Sequence, residues 1–164
     1  MNVFMPYPNI LESVKSLDTR RLNKQQIECG QILKALLSEG AWSNHPTTKM
    51  WAVKTHILSD YIRIAKAELS FRRDKIEIPK RIISRSLLLE QELSGWLPEK
   101  FFVQHRRRLF TKDPIFYRSF KQCGESLVNY YFVEGNILRY NTENNKKETP
   151  LPVIRLSMQV CSSL

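Results

Sequence analysis

Residues 17–40 read LDTRRLNKQQIECGQILKALLSEG. Asp18 or Thr19 can cap a helix here, because a short side-chain oxygen accepts the free amides of a first turn. The helix runs from about Arg20 to Glu39, and Gly40 stops it. Its apolar stripe is Leu22, Cys29, Leu33, Leu36 and Leu37. At about 100° per residue, Arg21, Lys24, Gln25, Glu28 and Gln31 share the other face. One carboxylate thus sits in a polar, mostly cationic stripe. From spacing alone, a solvated face with Lys24 and Glu28 paired one turn apart is the favoured reading.

Helical signals continue on both sides. Asn9 can cap a short helix over Ile10 to Leu17, after an extended start in which Pro6 and Pro8 bracket Tyr7. Downstream, Met50, Val53, Ile57, Tyr61 and Ile64 recur at three and four residues, predicting one long helix from about Thr47 to Arg73. Another runs from Pro79 or Lys80 to about Leu93, proline being tolerated in a first turn. Glu99 to Phe110 forms the next, before a turn at Lys112-Asp113-Pro114. After about Phe120 the character changes. Val128 to Tyr140 carries two β-prone runs around Glu134-Gly135-Asn136, a hairpin pattern, and Val153 to Val160 suits one more strand. The expected fold is all-α, with a helical domain over 1–121 and a small C-terminal β-hairpin appendage over 122–164.

The chain has 164 residues, enough for one compact domain with a real core. Its formal net charge is +10, and 42% of residues are hydrophobic, which excludes a disordered basic tail. A folded basic domain of this size meets a polyanion, nucleic acid first. No apolar run approaches the roughly 18 residues that span a membrane. The start, MNVFMPYPN, lacks the basic and apolar regions of a secretory signal. Cys29, Cys123 and Cys161 form no CxxC pair, and with only His45, His56 and His105 to join them no metal site is expected. Free thiols in a reducing cytoplasm are the plain reading.

Two other stretches could carry chemistry. Gln104 to Arg118 packs Arg106, Arg107, Arg108, Lys112 and Arg118 among aromatics that include Tyr117. Cations there can grip phosphates while rings stack on bases or wedge between them; a basic helix whose aromatics are core is the alternative. Trp42-Ser43-Asn44-His45-Pro46 reads as a helix-entry loop with Asn44 or His45 as cap. Arg72, Arg73, Lys75, Lys80, Arg81 and Arg85 add a second, non-specific basic patch. Serine-nucleophile, zinc-protease and phosphate-loop motifs are absent, as is an acidic cluster for a two-metal nuclease.

MNVFMPYP, LDTRRLNKQQIECGQIL, NHPTTKMW and HRRRLFTKDPIFY, in this order, resemble the pyrimidine-dimer DNA glycosylase/AP lyase family, the endonuclease V type of phage and its small bacterial relatives. The resemblance covers roughly residues 1–120, and RLNKQ-x-x-E with HR-x-x-L-x-x-KDP-x-x-Y carries most of its specificity. It implies a small all-α protein acting on double-stranded DNA, with no metal or organic cofactor; a monomer is expected, since one domain can scan a duplex by electrostatic sliding. It implies an N-terminal α-amine that attacks the sugar C1′ of a damaged nucleotide, followed by imine formation and β-elimination. The catalytic pair is then Met1 and Glu28. Family members expose a small threonine amine after the initiator methionine is removed; here Asn2 is bulky enough to disfavour removal, so the amine is assigned to Met1. An α-amine ionises near about 7.7–8.0 and lysine near about 10.4, so the free-base fraction at pH 7 favours the former. Arg21, Lys24, Gln25, His45, Arg106, Arg107, Arg108, Lys112, Tyr117 and Arg118 are the expected DNA contacts. Three other readings stay open: a glycosylase for another modified base, a non-catalytic DNA-binding module on the same scaffold, and a phage–host interaction protein.

Overall fold

A computed structural model describes residues 2–38, 42–126, 128–134 and 137–142, the last two segments by their backbone alone. The helices are α1 (Ile10–Ser16), α2 (Thr19–Leu36), α3 (Pro46–Trp51), α4 (Thr55–Asp74), α5 (Lys80–Trp96) and α6 (Glu99–Lys112). Short 3-10 turns lie at Ala52–Lys54 and Arg118–Cys123. Beyond them the backbone of β1 (Val128–Glu134) and β2 (Ile137–Thr142) runs antiparallel, with Tyr131 opposite Tyr140. Among the residues whose side chains are described, the buried core is built from the helices, the N-terminal segment and the 3-10 turn at Phe120. The packed body is therefore all-α. The strand expected at Val153–Val160 lies outside the described residues.

The caps follow local chemistry. Asn9 accepts the Glu12 amide at 3.1 Å and Asp18 Oδ1 accepts that of Arg21 at 2.9 Å. His45 Nδ1 accepts the Thr47 amide at 3.2 Å, and Pro46, which has no amide to satisfy, opens α3. At the end of α4, Lys75 takes φ 60°, the left-handed C-terminal turn that glycine usually supplies.

Two helical expectations are corrected. The single helix expected from Thr47 to Arg73 is broken at Ala52–Lys54. The tighter turn rotates Val53 off the apolar stripe, leaving it 72% exposed, while Met50, Ile57, Tyr61 and Ile64 remain buried. In α2 the buried set is Leu22, Gln25, Cys29, Ile32 and Ala35. Leu37 stands outside it, almost wholly exposed.

Helix α2 packs along α4, and α1 packs on α4 and α5. Arg72, near the end of α4, donates to the carbonyls of Val14, Lys15 and Leu17 and pairs with Glu68 at 2.8 Å. A guanidinium there satisfies the free carbonyls that end α1 and complements that end of the helix dipole. It also fixes the turn that leads into Asp18. Arg85 pairs with Asp60 and Arg73 with Asp74. Arg72 and Arg85 are thus tied to buried carboxylates, while Arg73 and Asp74 pair at the surface.

Residues 2–9 form no helix or strand, yet Val3, Phe4 and Met5 are buried. Buried peptide groups need partners, and side chains from several helices provide them. The Phe4 amide donates to Gln25 Oε1 at 2.5 Å, and its carbonyl accepts the Tyr61 hydroxyl at 2.8 Å. The Met5 amide points to His105 Nδ1 at 3.4 Å, and the Pro6 carbonyl accepts Arg106 at 2.7 Å. The segment is thus a core element threaded against α2, α4 and α6.

Candidate active-site cleft

An open cleft of about 930 Å³ lies where the N-terminal segment, α2, the loop before α3 and the end of α6 converge. Among the described residues five cations line it: Arg20, Arg21 and Lys24 from α2, and Arg108 and Lys112 from α6. The acidic residues are Asp18, Glu28 and Asp113. Trp42 and His45 stand on the loop side with ring centroids 5.6 Å apart.

Glu28 is the organised carboxylate of the cleft. Its Oε2 accepts the Asn2 amide at 3.2 Å and the Gln25 side-chain amide at 3.1 Å. Its Oε1 lies 3.6 Å from Lys24 Nζ, and its side chain keeps 14% exposure. The pairing of Lys24 with Glu28 is real, but Lys24 is 72% exposed and screened by water. The contacts that fix the Glu28 carboxylate come from Gln25 and the chain start.

Asp18 plays a different part. Burial alone would raise its carboxyl; hydrogen bonds from Tyr117 and Arg21 outweigh that and hold it below the usual carboxylate range. Arg21 pairs with Asp18 at 2.5 Å and lies 4.0 Å from Asp113. Its guanidinium also sits 5.2 Å above the centre of the Tyr117 ring. Burial lowers the affinity of His45 for a proton, so its ring favours the neutral form that can cap α3.

The structure brings together Arg21, Lys24, Gln25, Glu28, His45, Arg108 and Lys112 from the expected residues. Tyr117, Arg106, Arg107 and Arg118 do not line it. Gln25 touches the cleft but is 1% exposed, its amide spent on Asn2, Phe4 and Glu28. Tyr117, also 1% exposed, lies behind the wall with its hydroxyl on Asp18 at 2.7 Å. Both were expected at a DNA surface, and both are internal supports. Arg106 is drawn to Pro6 and Glu99, and Arg107 donates to the Cys123 carbonyl. Arg118 is exposed on the 3-10 turn. Met1 lies outside the described residues. Asn2, Phe4, Asp18, Arg20, Trp42 and Asp113 also line the cleft; none is an expected site residue, although each lies in or beside one of the motifs. Among the described residues no group of three or more His, Cys, Asp or Glu is placed to hold a metal ion. No helix among them is long and apolar enough to cross a membrane.

Residues 1–79 match the family model described as pyrimidine dimer DNA glycosylase. The resemblance carried by the motifs holds over that segment, which supplies the chain start, all of α2 and the Trp42–His45 loop. Helices α5 and α6 lie beyond it. No curated protein and no solved structure matches the chain.

Proposed function

From the pyrimidine dimer DNA glycosylase family of residues 1–79, we propose that this chain is a DNA glycosylase with AP lyase activity on ultraviolet pyrimidine dimers in duplex DNA. The nucleophile is the α-amine of Met1. It forms a bond to the sugar C1′ as the base–sugar bond breaks, and the departing base takes up a proton. Opening of the sugar ring gives a protonated imine. Removal of a C2′ proton then expels the 3′ phosphate by β-elimination, and water releases the amine. Glu28 stabilises the cationic sugar and carries these protons. Arg21, Lys24, Arg108 and Lys112 hold the phosphates on either side. Residues 1–121 are the catalytic unit and 122–164 an appendage; the protein works as a cytoplasmic monomer.

One observation carries this reading: the Asn2 amide lies 3.2 Å from the Glu28 carboxylate inside a basic cleft. Bonded geometry keeps the amine of residue 1 within about 4 Å of the Asn2 nitrogen. On this reading the amine of the preceding residue and the Glu28 carboxylate act on the same nucleotide sugar.

Borohydride trapping tests it. Untagged protein is incubated with duplexes carrying an abasic site or a pyrimidine dimer, with undamaged duplex as control. A covalent adduct on both damaged substrates is expected, lost when the N-terminus is blocked. Glu28→Gln should keep salt-dependent duplex binding and lose at least about 100-fold in strand cleavage. An adduct at the abasic site alone would assign the glycosylase to another base. No adduct on either duplex, with binding intact, would reduce the protein to a binding module.

A further inference from the structure

Ile115 and Phe116 are adjacent large apolar residues with exposures of 87% and 53%. Scattered exposed apolar side chains are ordinary. These two differ in what holds them and in what surrounds them.

The turn that carries them is rigid. Asp113 Oδ1 accepts the Phe116 amide at 3.0 Å, and the Asp113 carbonyl accepts that of Tyr117 at 3.0 Å. Pro114 fixes its own φ between them. Immediately after the tip, Tyr117 is buried and bonded to Asp18, and Phe120 is buried with its amide on the Tyr117 carbonyl at 2.8 Å. The apolar tip is therefore backed by core on its C-terminal side and by α6 on the other.

The tip also stands at the rim of the cleft. Arg21 and Asp113 belong to the cleft wall. The Tyr117 ring lies under the Arg21 guanidinium, and the Phe116 ring packs edge-on against Tyr117 at 4.8 Å between centroids. Phe116 is thus one ring beyond the wall. Lys112 precedes the tip, and exposed Arg118 and Lys121 follow it. Cations flanking a rigid apolar point match a duplex, whose phosphates bracket stacked, flat, apolar bases.

Resting on the reading of the cleft as a DNA-binding surface, we propose that Ile115 and Phe116 are a wedge that enters the base stack of duplex DNA beside the gripped nucleotide. The wedge occupies the space that a base step vacates as it unstacks, and the flanking cations hold the backbone while it does so. Neither side chain takes part in bond making.

The test uses the full chain and a duplex with 2-aminopurine beside a tetrahydrofuran abasic analogue, which cannot form an imine. Loss of stacking raises 2-aminopurine fluorescence. The wild type and Glu28→Gln should both raise it several-fold on binding. The double variant Ile115→Ser, Phe116→Ser should lose most of that rise while keeping the salt dependence of binding, since no charge is removed. Phe116→Leu, which keeps an apolar side chain, should retain most of it. Melting temperatures of the variants should stay near wild type, because both side chains are exposed. Full enhancement by the double serine variant would overturn the wedge, as would wild-type protein that binds the duplex without enhancement or does not bind it. Enhancement that needs Ile115 and Phe116, in a protein that cleaves nothing, would keep the wedge and sink the glycosylase reading.

Discussion

Gln25 Nε2 lies 3.1 Å from Glu28 Oε2, one helical turn away, and the same nitrogen donates to the Asn2 carbonyl at 2.9 Å. With its oxygen on the Phe4 amide, the Gln25 side chain serves residues 2 and 4 much as a neighbouring strand would. It couples the position of the chain start to that of the carboxylate.

Gln25→Met keeps the length of the side chain and removes both its donor and its acceptor. The buried Phe4 amide is left without a partner, a loss of about 1–3 kcal/mol. We expect a lower melting temperature by thermal denaturation. We also expect single-turnover cleavage of a preformed abasic site to fall at least about tenfold well below that temperature, with duplex affinity nearly unchanged. Cleavage that stays at the wild-type rate once the protein is folded would limit Gln25 to a structural role.

Tyr117→Phe separates support from contact. The Tyr117 hydroxyl accepts the Asp18 amide at 3.0 Å and donates to its carboxylate at 2.7 Å. Removing it strips two partners from the residue that caps α2 and anchors Arg21. The expected cost is about 1–3 kcal/mol in denaturant unfolding. Duplex affinity should change by less than about twofold, because the ring that underlies Arg21 remains. A large loss of affinity in a normally stable variant would return Tyr117 to the DNA surface.

His105 gives the protein a pH-dependent stability. It is fully buried, and burial, aided by the nearby Arg108 charge, pushes its proton affinity down to about 3. Between there and the unfolded value near about 6.5, the unfolded chain binds the proton and the folded one does not. The contribution is complete above the unfolded value and declines as the pH falls toward the folded one. About 2 kcal/mol should be lost between pH 7.5 and pH 5. Unfolding at those two pH values should show this in wild type and a smaller loss in His105→Gln. Asp18, whose proton affinity is also lowered, adds its own acid sensitivity only at lower pH.

The sequence made the helical body legible because periodicity and caps are local. It marked α1, α2, α5 and α6 to within about three residues at each end. It did not mark the break at Ala52–Lys54, where no proline or glycine interrupts the pattern. The motifs gathered most cleft residues, since α2 and the end of α6 each present a basic face. What they hid was direction. Gln25 lies on the polar side of α2, yet the N-terminal segment covers that side and buries it. Tyr117 and Arg106 occur among exposed cations but turn inward to Asp18 and Pro6. Trp42 could be read only as part of a capping loop, because its neighbours in the cleft come from distant positions.

The threaded N-terminal segment has a consequence for synthesis. Residues 2–9 leave the ribosome well before the partners that hold them. Met5 waits for His105, one hundred positions downstream, and Asp18 for Tyr117. A growing chain can coil α2 early, but it holds no finished cleft until α6 has emerged. Shorter nascent chains therefore carry Glu28 without the wall that Arg108, Lys112 and Asp113 supply.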